Sequence, residues 1–223
     1  MAIAYDNSTD LGFSAGTTLT AAFTTGTGSE RYLLVGILTF DVLDLVTGVT
    51  YNGVAMTRLA ASPSDVADGE WSYIYGLAAP ATGANNVVVT KSLAGGGTVA
   101  AAIAYTGCSP VSQPDNSANP TALTGQTSIT ATLTTNADNC WLVGFFRTGT
   151  NMSAGANTTL RANAGGSPTC LFVDSNAAKT PPGSYSLITT FASSFAKYIV
   201  ISLQPPIIAS TVRNFRSLLG VGI

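Results

Sequence analysis

The sequence predicts an all-β protein: an antiparallel β-sandwich, jelly-roll-like and internally duplicated, with a short C-terminal helical arm. Three observations lead to this fold class. Residues 32–40 are apolar on both alternating faces, which is typical of a strand buried from two sides. Many short runs of β-forming residues are separated by turn signals, with almost no helical period before residue 207. Part of the first half of the chain also recurs in the second half.

The composition indicates a packed chain without histidine chemistry. Of the 223 residues, 46% are hydrophobic and only 9% are charged, which argues against disorder. No apolar run approaches the roughly 20 residues that span a bilayer, and a net charge of −2 offers no electrostatic footprint for nucleic acid. Without histidine, Ser-His-Asp, Cys-His and His-ligated metal sites are excluded, so we expect no enzyme. Three cysteines without CxxC spacing are expected to be buried thiols: Cys108, Cys140 and Cys170.

The elements of the first half alternate β-forming runs with turns. Residues 17–25 form the first predicted strand, and the central strand at 32–40 follows a Gly-rich turn. Asn52-Gly53 lies between β-formers and predicts a type I′ hairpin, because both positions of that turn need positive φ. Gly95-Gly96-Gly97 is predicted to be a hairpin loop. The other predicted strands of this half are residues 71–77, 86–90 and 99–105.

A second copy of the pattern follows the Pro-rich connection at residues 106–125. Residues 127–135 match residues 17–25 with an offset of 110 positions. The Leu-Val-Gly triplets of the two central strands, at 34–36 and 142–144, match with an offset of 108. The turn between the two matching strands is therefore predicted to be two residues shorter in the second copy.

These matches predict one β-sandwich over residues 1–206, with pseudo-repeat halves at about 12–107 and 122–205. Each half alone would leave one face of its sheet exposed to solvent, so we expect the two halves to pack together around a single core. Two consecutive small β-domains, split near residue 115, are the structural alternative.

The arm at residues 207–223 has a different pattern. It follows Pro205-Pro206, and its apolar residues recur at helical spacing. A helix of about ten residues is not stable alone in water, so we expect it to dock on its own sandwich or on a partner. Its predicted interface residues are Val212, Phe215, Leu218 and Leu219.

Two groups of side chains in the first half are candidate sites. One loop carries three carboxylates, which either bind a cation such as Ca²⁺ or are simply solvated: Asp65, Asp68 and Glu70. One strand places three aromatic rings on one face, which is either a platform for sugar rings or a core face: Trp71, Tyr73 and Tyr75. We predict no other cofactor and no catalytic residue.

The succession of Tyr32-Leu-Leu-Val-Gly, Val49 to Thr57, Trp71 to Pro80 and Ala104-Tyr-Thr-Gly resembles a β-sandwich module of bacteriophage virion proteins and bacterial surface proteins. The resemblance covers roughly residues 12–107. The family has no shared catalytic residues to transfer. It therefore implies a non-enzymatic role.

We expect a bacteriophage virion structural protein, most simply a capsid decoration (cement) protein that binds neighbouring subunits through its surface edges and its arm. The expected partners are other virion subunits, above all the major capsid protein, and further copies of the chain. Nucleic acid and membranes are not expected partners. Residues 1–6 lack the segments of a signal peptide, so we expect synthesis in the host cytoplasm and incorporation into the virion. The alternative is a carbohydrate-binding module of a tail fibre or cell-surface protein, which would use the aromatic strand.

Overall fold

The computed structural model describes residues 1–63, 69–120 and 123–206, and every regular element in these ranges is a β-strand. All strand pairings are antiparallel, which confirms the all-β, antiparallel prediction for the described residues. The predicted helical arm lies outside them. The strands in chain order are β1 (Ala4–Ser14), β2 (Thr18–Thr25), β3 (Tyr32–Thr39), β4 (Val46–Tyr51), β5 (Val54–Ala55), β6 (Thr57–Ser62), β7 (Trp71–Ala78), β8 (Gly83–Lys91), β9 (Thr98–Thr106), β10 (Asn116–Ala118), β11 (Leu123–Thr134), β12 (Trp141–Thr148), β13 (Met152–Ala154), β14 (Thr159–Ala164), β15 (Ser167–Asp174) and β16 (Ser184–Leu203).

These strands form three sheets. Sheet 1 has the order β1-β9-β3-β7-β6 and sheet 2 has the order β2-β8-β4-β5. Sheet 3 has the order β10-β16-β12-β15-β14, and β11 and β13 also pair with β16. Because β16 is 20 residues long, its first part pairs with β11 and its second part with β12. Sheet 3 therefore folds over on itself along this strand.

The two halves of the chain have the same strand order. The path β1-β9-β3-β7-β6 corresponds to β10-β16-β12-β15-β14, and β2-β8-β4 corresponds to β11-β16-β13. In the second half one strand, β16, takes the positions of both β8 and β9. The pairing of β6 with β7 slips between Arg58 and Ala60, and that of β14 with β15 slips at the matching point between Leu160 and Ala162. Such a β-bulge at the same place is expected of a repeated unit.

The central strands of the two halves correspond with an offset of 109 residues, so the offset of 108 is wrong. β3 begins at Tyr32 and β12 at Trp141, 109 positions later, and both rings lie in the core between the halves. An offset of 108 would match Gly36 with Gly144. Gly36 faces Phe145 of the other half, whereas Gly144 faces the core of its own half. A shift of one residue turns a strand side chain to the opposite face.

Three apolar cores separate the β-layers. One lies between sheets 1 and 2, a second lies between the two parts of sheet 3, and a third joins sheet 1 to sheet 3. The prediction of a single core is therefore wrong, because each half has a core of its own. All eight residues of β3 are buried, which confirms burial from two sides. Its side chains alternate between the first and third cores, with Leu33, Val35 and Ile37 facing sheet 2 and Leu34 and Leu38 facing sheet 3.

The core between the halves depends on a glycine opposite two phenylalanines. Phe145 and Phe172 of sheet 3 pack at a tilt, with ring centroids 5.0 Å apart. A Cβ on Gly36 of sheet 1 would lie 2.5 Å from Phe145 Cδ2 and 2.8 Å from Phe172 Cε2. Only glycine leaves enough room for these rings at this point of the sheet.

The two predicted glycine turns have different outcomes. The Asn52-Gly53 hairpin is confirmed, with φ of 50° and 75° and with Tyr51 paired to Val54. The segment Gly95-Gly96-Gly97 does not form a hairpin, because β8 belongs to sheet 2 and β9 to sheet 1. All three glycines have positive φ, which allows the chain to pass sharply from one sheet to the other.

The three thiols are free and buried, as predicted. Burial raises the pKa of Cys108 to about 12, and the nearby charge of Glu30 adds to this effect. Burial also raises the pKa of Cys170 above its ordinary value. The pKa of the Tyr105 hydroxyl is raised as well, first by burial and then by the charge of Asp174.

We expect the free energy of unfolding to fall steadily above pH about 9. The unfolded thiols ionise there while the folded ones keep their protons up to about pH 12 in the case of Cys108, so the folded state binds more protons and alkali favours unfolding. Each such group contributes up to about 1.4 kcal/mol per pH unit. Urea titrations at pH 8, 9.5 and 10.5 measure this slope, and the Cys108→Ala variant should show a shallower one. A stability that does not change over this range would contradict the prediction.

Candidate functional site

A buried polar cluster around Asp174 ties the two halves together. Asp174 is fully buried, and its Oδ2 accepts hydrogen bonds from the Tyr105 hydroxyl and from Arg161 Nε, each at 2.8 Å. The Arg161 guanidinium lies 4.1 Å from the ring centroid of Tyr5. The backbone N–H of Asn176 donates to the other oxygen, Oδ1, at 2.9 Å. Tyr5 and Tyr105 belong to the first half and the other residues to the second, so the polar contacts of this cluster connect the two halves.

A second polar cluster between the halves is centred on Glu70. Its carboxylate accepts two hydrogen bonds from Arg147, from Nε to Oε2 at 2.8 Å and from Nη2 to Oε1 at 2.7 Å. The fully buried Lys197 donates from Nζ to the carbonyl oxygen of Pro63 at 2.7 Å and also to that of Glu70. Arg147 and Lys197 of the second half thus bind the first half at Pro63 and Glu70, which lie on either side of residues 64–68.

The side chains of these two clusters make contacts that join the two halves. Their carboxylates are engaged by arginine, and a two-point Arg–carboxylate contact is a geometry suited to holding two elements in register. Among residues 1–63, 69–120 and 123–206, no group of three or more Cys, Asp or Glu side chains could hold a metal ion. Nor does this part of the chain contain a helix long and apolar enough to cross a membrane.

The three candidate cation ligands are not all placed. Asp65 and Asp68 lie outside the described residues. Glu70 is described, and both of its carboxylate oxygens already bind Arg147. It would have to give up this ion pair in order to coordinate a cation.

The three aromatic residues of β7 do share one face, but that face belongs to the core. Tyr73 and Tyr75 are buried between sheets 1 and 2. Trp71 is partly exposed, stacks on Tyr73 with ring centroids 5.9 Å apart, and donates from Nε1 to the carbonyl oxygen of Val42 at 3.0 Å. The three rings therefore do not form an exposed platform for sugars.

Several exposed apolar side chains, together called the apolar tip here, lie in and beside the loops where β3 ends and β9 begins. Its backbone is ordered by hydrogen bonds: Phe40 N–H donates to the carbonyl oxygen of Gly97 at 3.1 Å, and Leu43 N–H donates to Asp41 Oδ1 at 3.0 Å. Exposed apolar clusters of this kind often mark interaction sites. The tip contains five of the ten large hydrophobic side chains that are exposed in the described part of the chain: Phe13, Phe40, Val42, Leu43 and Leu93.

A groove between the two halves, called the junction groove here, opens beside the apolar tip. Phe13, 62% exposed, and Phe40, 37% exposed, flank it. Its volume is about 350 Å³, within the range of small ligand sites. Arg147 lies at its side, 5.7 Å from the Phe40 ring centroid, and its charge is balanced by Glu70. The lining comes from both halves and includes Leu38, Val99, Ala164 and Cys170.

The sequence pattern did not predict this site, although it contains one signal for it. Asp41-Val42-Leu43-Asp44 places two apolar residues between two acids in a loop, outside the alternation of any strand. Apolar residues that no strand accounts for are candidates for an exposed contact. The predicted arm residues Val212, Phe215, Leu218 and Leu219 lie outside the described residues.

Comparison with protein-family models, with curated proteins and with solved structures finds no match for the chain.

Proposed function

We propose that the protein is a non-enzymatic structural component of a bacteriophage virion, a decoration protein that binds neighbouring subunits, including the major capsid protein. It is made in the host cytoplasm and incorporated into the particle. The observation that carries this proposal is the apolar tip. In the described part of the chain, half of the large exposed hydrophobic side chains lie at this one end, and apolar residues grouped in this way are suited to binding another protein.

The fold supports the same proposal. In the first half β1 pairs with β9 and β2 with β8, and in the second half the single strand β16 pairs with both β10 and β11. Nested pairing of this kind is consistent with a jelly-roll-like unit. Two such units joined by a shared core make a stiff block. A stiff block with a contact surface at one end and an arm beyond Pro206 is suited to linking subunits.

The carbohydrate-binding alternative has less support. Two of its three rings, Tyr73 and Tyr75, are in the core. The expected result on a glycan array is therefore no specific binding. A specific hit that is lost in a Trp71→Ala variant would favour this alternative over a virion role.

Deleting residues 207–223 is expected to leave a folded protein that no longer joins its assembly. Residues 1–206 contain all sixteen described strands and all three cores, so the β-sheet signal in far-UV circular dichroism should be retained. The full chain should co-sediment with particles purified from its source culture, and the shortened chain should bind them at least about tenfold more weakly because the arm's apolar contacts are lost.

A Val54→Ser variant is the control for this experiment, because Val54 is exposed after the Asn52-Gly53 turn, outside both the apolar tip and the arm. It should bind particles as the unchanged chain does. If the full chain does not co-sediment with any particle fraction, a virion role is wrong. If the shortened chain binds as well as the full one, the arm is not the anchor.

A further inference from the structure

The junction groove and Pro206, after which the arm begins, lie at opposite ends of β3. The groove is beside Phe40, immediately after β3 ends. Pro206 is three residues beyond Leu203, which pairs with Trp141 at the start of β12. Trp141 packs edge-on against Tyr105, which pairs with Tyr32 at the start of β3. The arm therefore begins beyond the end of the molecule where β3 starts.

This separation is too large for the arm to reach the groove of its own chain. The eight residues of β3 span about 25 Å, and the arm would have to pass around the body rather than through it. The six residues from Pro206 to Val212 cover at most about 20 Å when fully extended. If the residues from Val212 onward form the predicted helix, each adds only about 1.5 Å, so Phe215 would lie at most about 25 Å from Pro206, too short for a path around the body. A second copy of the chain has no such restriction.

The groove and the arm are chemically complementary. The arm repeats apolar residues at helical spacing, and a helix of this kind binds by inserting such side chains into an apolar groove. A volume of about 350 Å³ is large enough for an aromatic side chain such as that of Phe215.

The charges also match. Residues 1–206 contain all eleven acidic residues and seven of the nine basic ones, a formal charge of −4. Residues 207–223 contain no acid and the other two basic residues, Arg213 and Arg216, a charge of +2. Two carboxylates lie beside the groove: Asp41 follows Phe40, and Asp10 accepts a hydrogen bond from the groove residue Gly165 at 2.8 Å. The groove's own cation, Arg147, is paired with Glu70. Opposite charges of this kind orient a helix in its groove.

We propose that the junction groove of one copy of the chain binds the arm, residues 207–223, of a second copy. The contact is head-to-tail, so it links copies into a ring if the rotation closes and into a filament if it does not. The inference rests on the proposed function as a structural assembly module and names the second copy as a partner of the groove.

Two variants of the full chain test this link by complementation. Phe13→Ser removes an exposed groove side chain and Phe215→Ser removes the arm's aromatic residue; neither is in a described core. In sedimentation velocity the unchanged chain should associate with rising concentration. Each variant alone should associate at least about tenfold more weakly. An equal mixture should form dimers and nothing larger, because the intact groove of Phe215→Ser receives the intact arm of Phe13→Ser.

Each other outcome overturns the inference. A chain that stays monomeric at all concentrations has no such link. If Phe13→Ser prevents association and Phe215→Ser does not, the apolar tips bind each other or the groove binds another segment. Val54→Ser, 54% exposed after the Asn52-Gly53 turn, is the matched control and should associate as the unchanged chain does. If the chain is monomeric but co-sediments with particles, the proposed function stands and this link is wrong. If the chain self-associates but does not bind particles, the link stands and the proposed function is wrong.

Discussion

Replacing Gly36 with valine is expected to destabilise the protein by about 3 kcal/mol, a large part of the total stability of a typical domain. Valine is a better strand former than glycine, so local propensity favours the change. The loss comes from packing, because even a Cβ at this position would lie 2.5 Å from Phe145 Cδ2 in the core between the halves. Urea or thermal denaturation measures it.

Gly48→Val in β4 is the matched control, since a Cβ there meets nothing within 4 Å. This variant should be neutral or slightly stabilising. The double variant Gly36→Val with Phe145→Ala should be more stable than the sum of the two single changes predicts, because the smaller residue vacates the space that valine needs. If Gly36→Val is as harmless as Gly48→Val, the two halves do not pack through this face.

The Arg161→Leu variant is expected to lose about 3–5 kcal/mol of its free energy of unfolding. The change leaves the fully buried Asp174 carboxylate without the arginine that pairs with it. The Tyr105 hydroxyl and the Asn176 N–H would still donate to Asp174, but neither carries a charge. Chemical denaturation of the variant gives the loss directly.

A double variant that removes both charges distinguishes the loss of the ion pair from a loss of packing. Arg161→Leu combined with Asp174→Asn should recover much of the lost stability, since no uncompensated buried charge remains. Asp44→Asn is the exposed control: the Asp44–Arg58 pair is more than one third exposed on both sides, and its loss should cost under about 1 kcal/mol. If Arg161→Leu costs no more than Asp44→Asn, the cluster does not hold the halves together.

The sequence was informative about the strands and much less so about the candidate site. The hairpin at Asn52-Gly53 could be predicted because the turn type is encoded in two adjacent residues. Tyr73 and Tyr75 could not be assigned to core or surface, since an aromatic strand face has the same pattern in both cases. The groove was missed because it is built from β1, β3, β9, β12, β14 and β15, which come from both halves of the chain and meet only in the folded protein.

The repeat shows the same limit. The Leu-Val-Gly triplets align at an offset of 108 residues, yet the strands correspond at an offset of 109. Residue identity alone does not show which face of the sheet each side chain occupies. Only the positions of Phe145 opposite Gly36 and of Trp141 opposite Tyr105 reveal the true correspondence.

By itself the sequence determined that the described part of the chain is all-β, that β3 is buried on both faces, and that a tight turn lies at Asn52-Gly53, because alternation and turn chemistry are local properties. Only the tertiary structure decided that each half has its own core, that the two halves are held by the Asp174 and Glu70 clusters, and that Phe13 and Phe40 remain exposed beside a groove. Burial is a property of what lies opposite a residue, and residues far apart in the chain decide that.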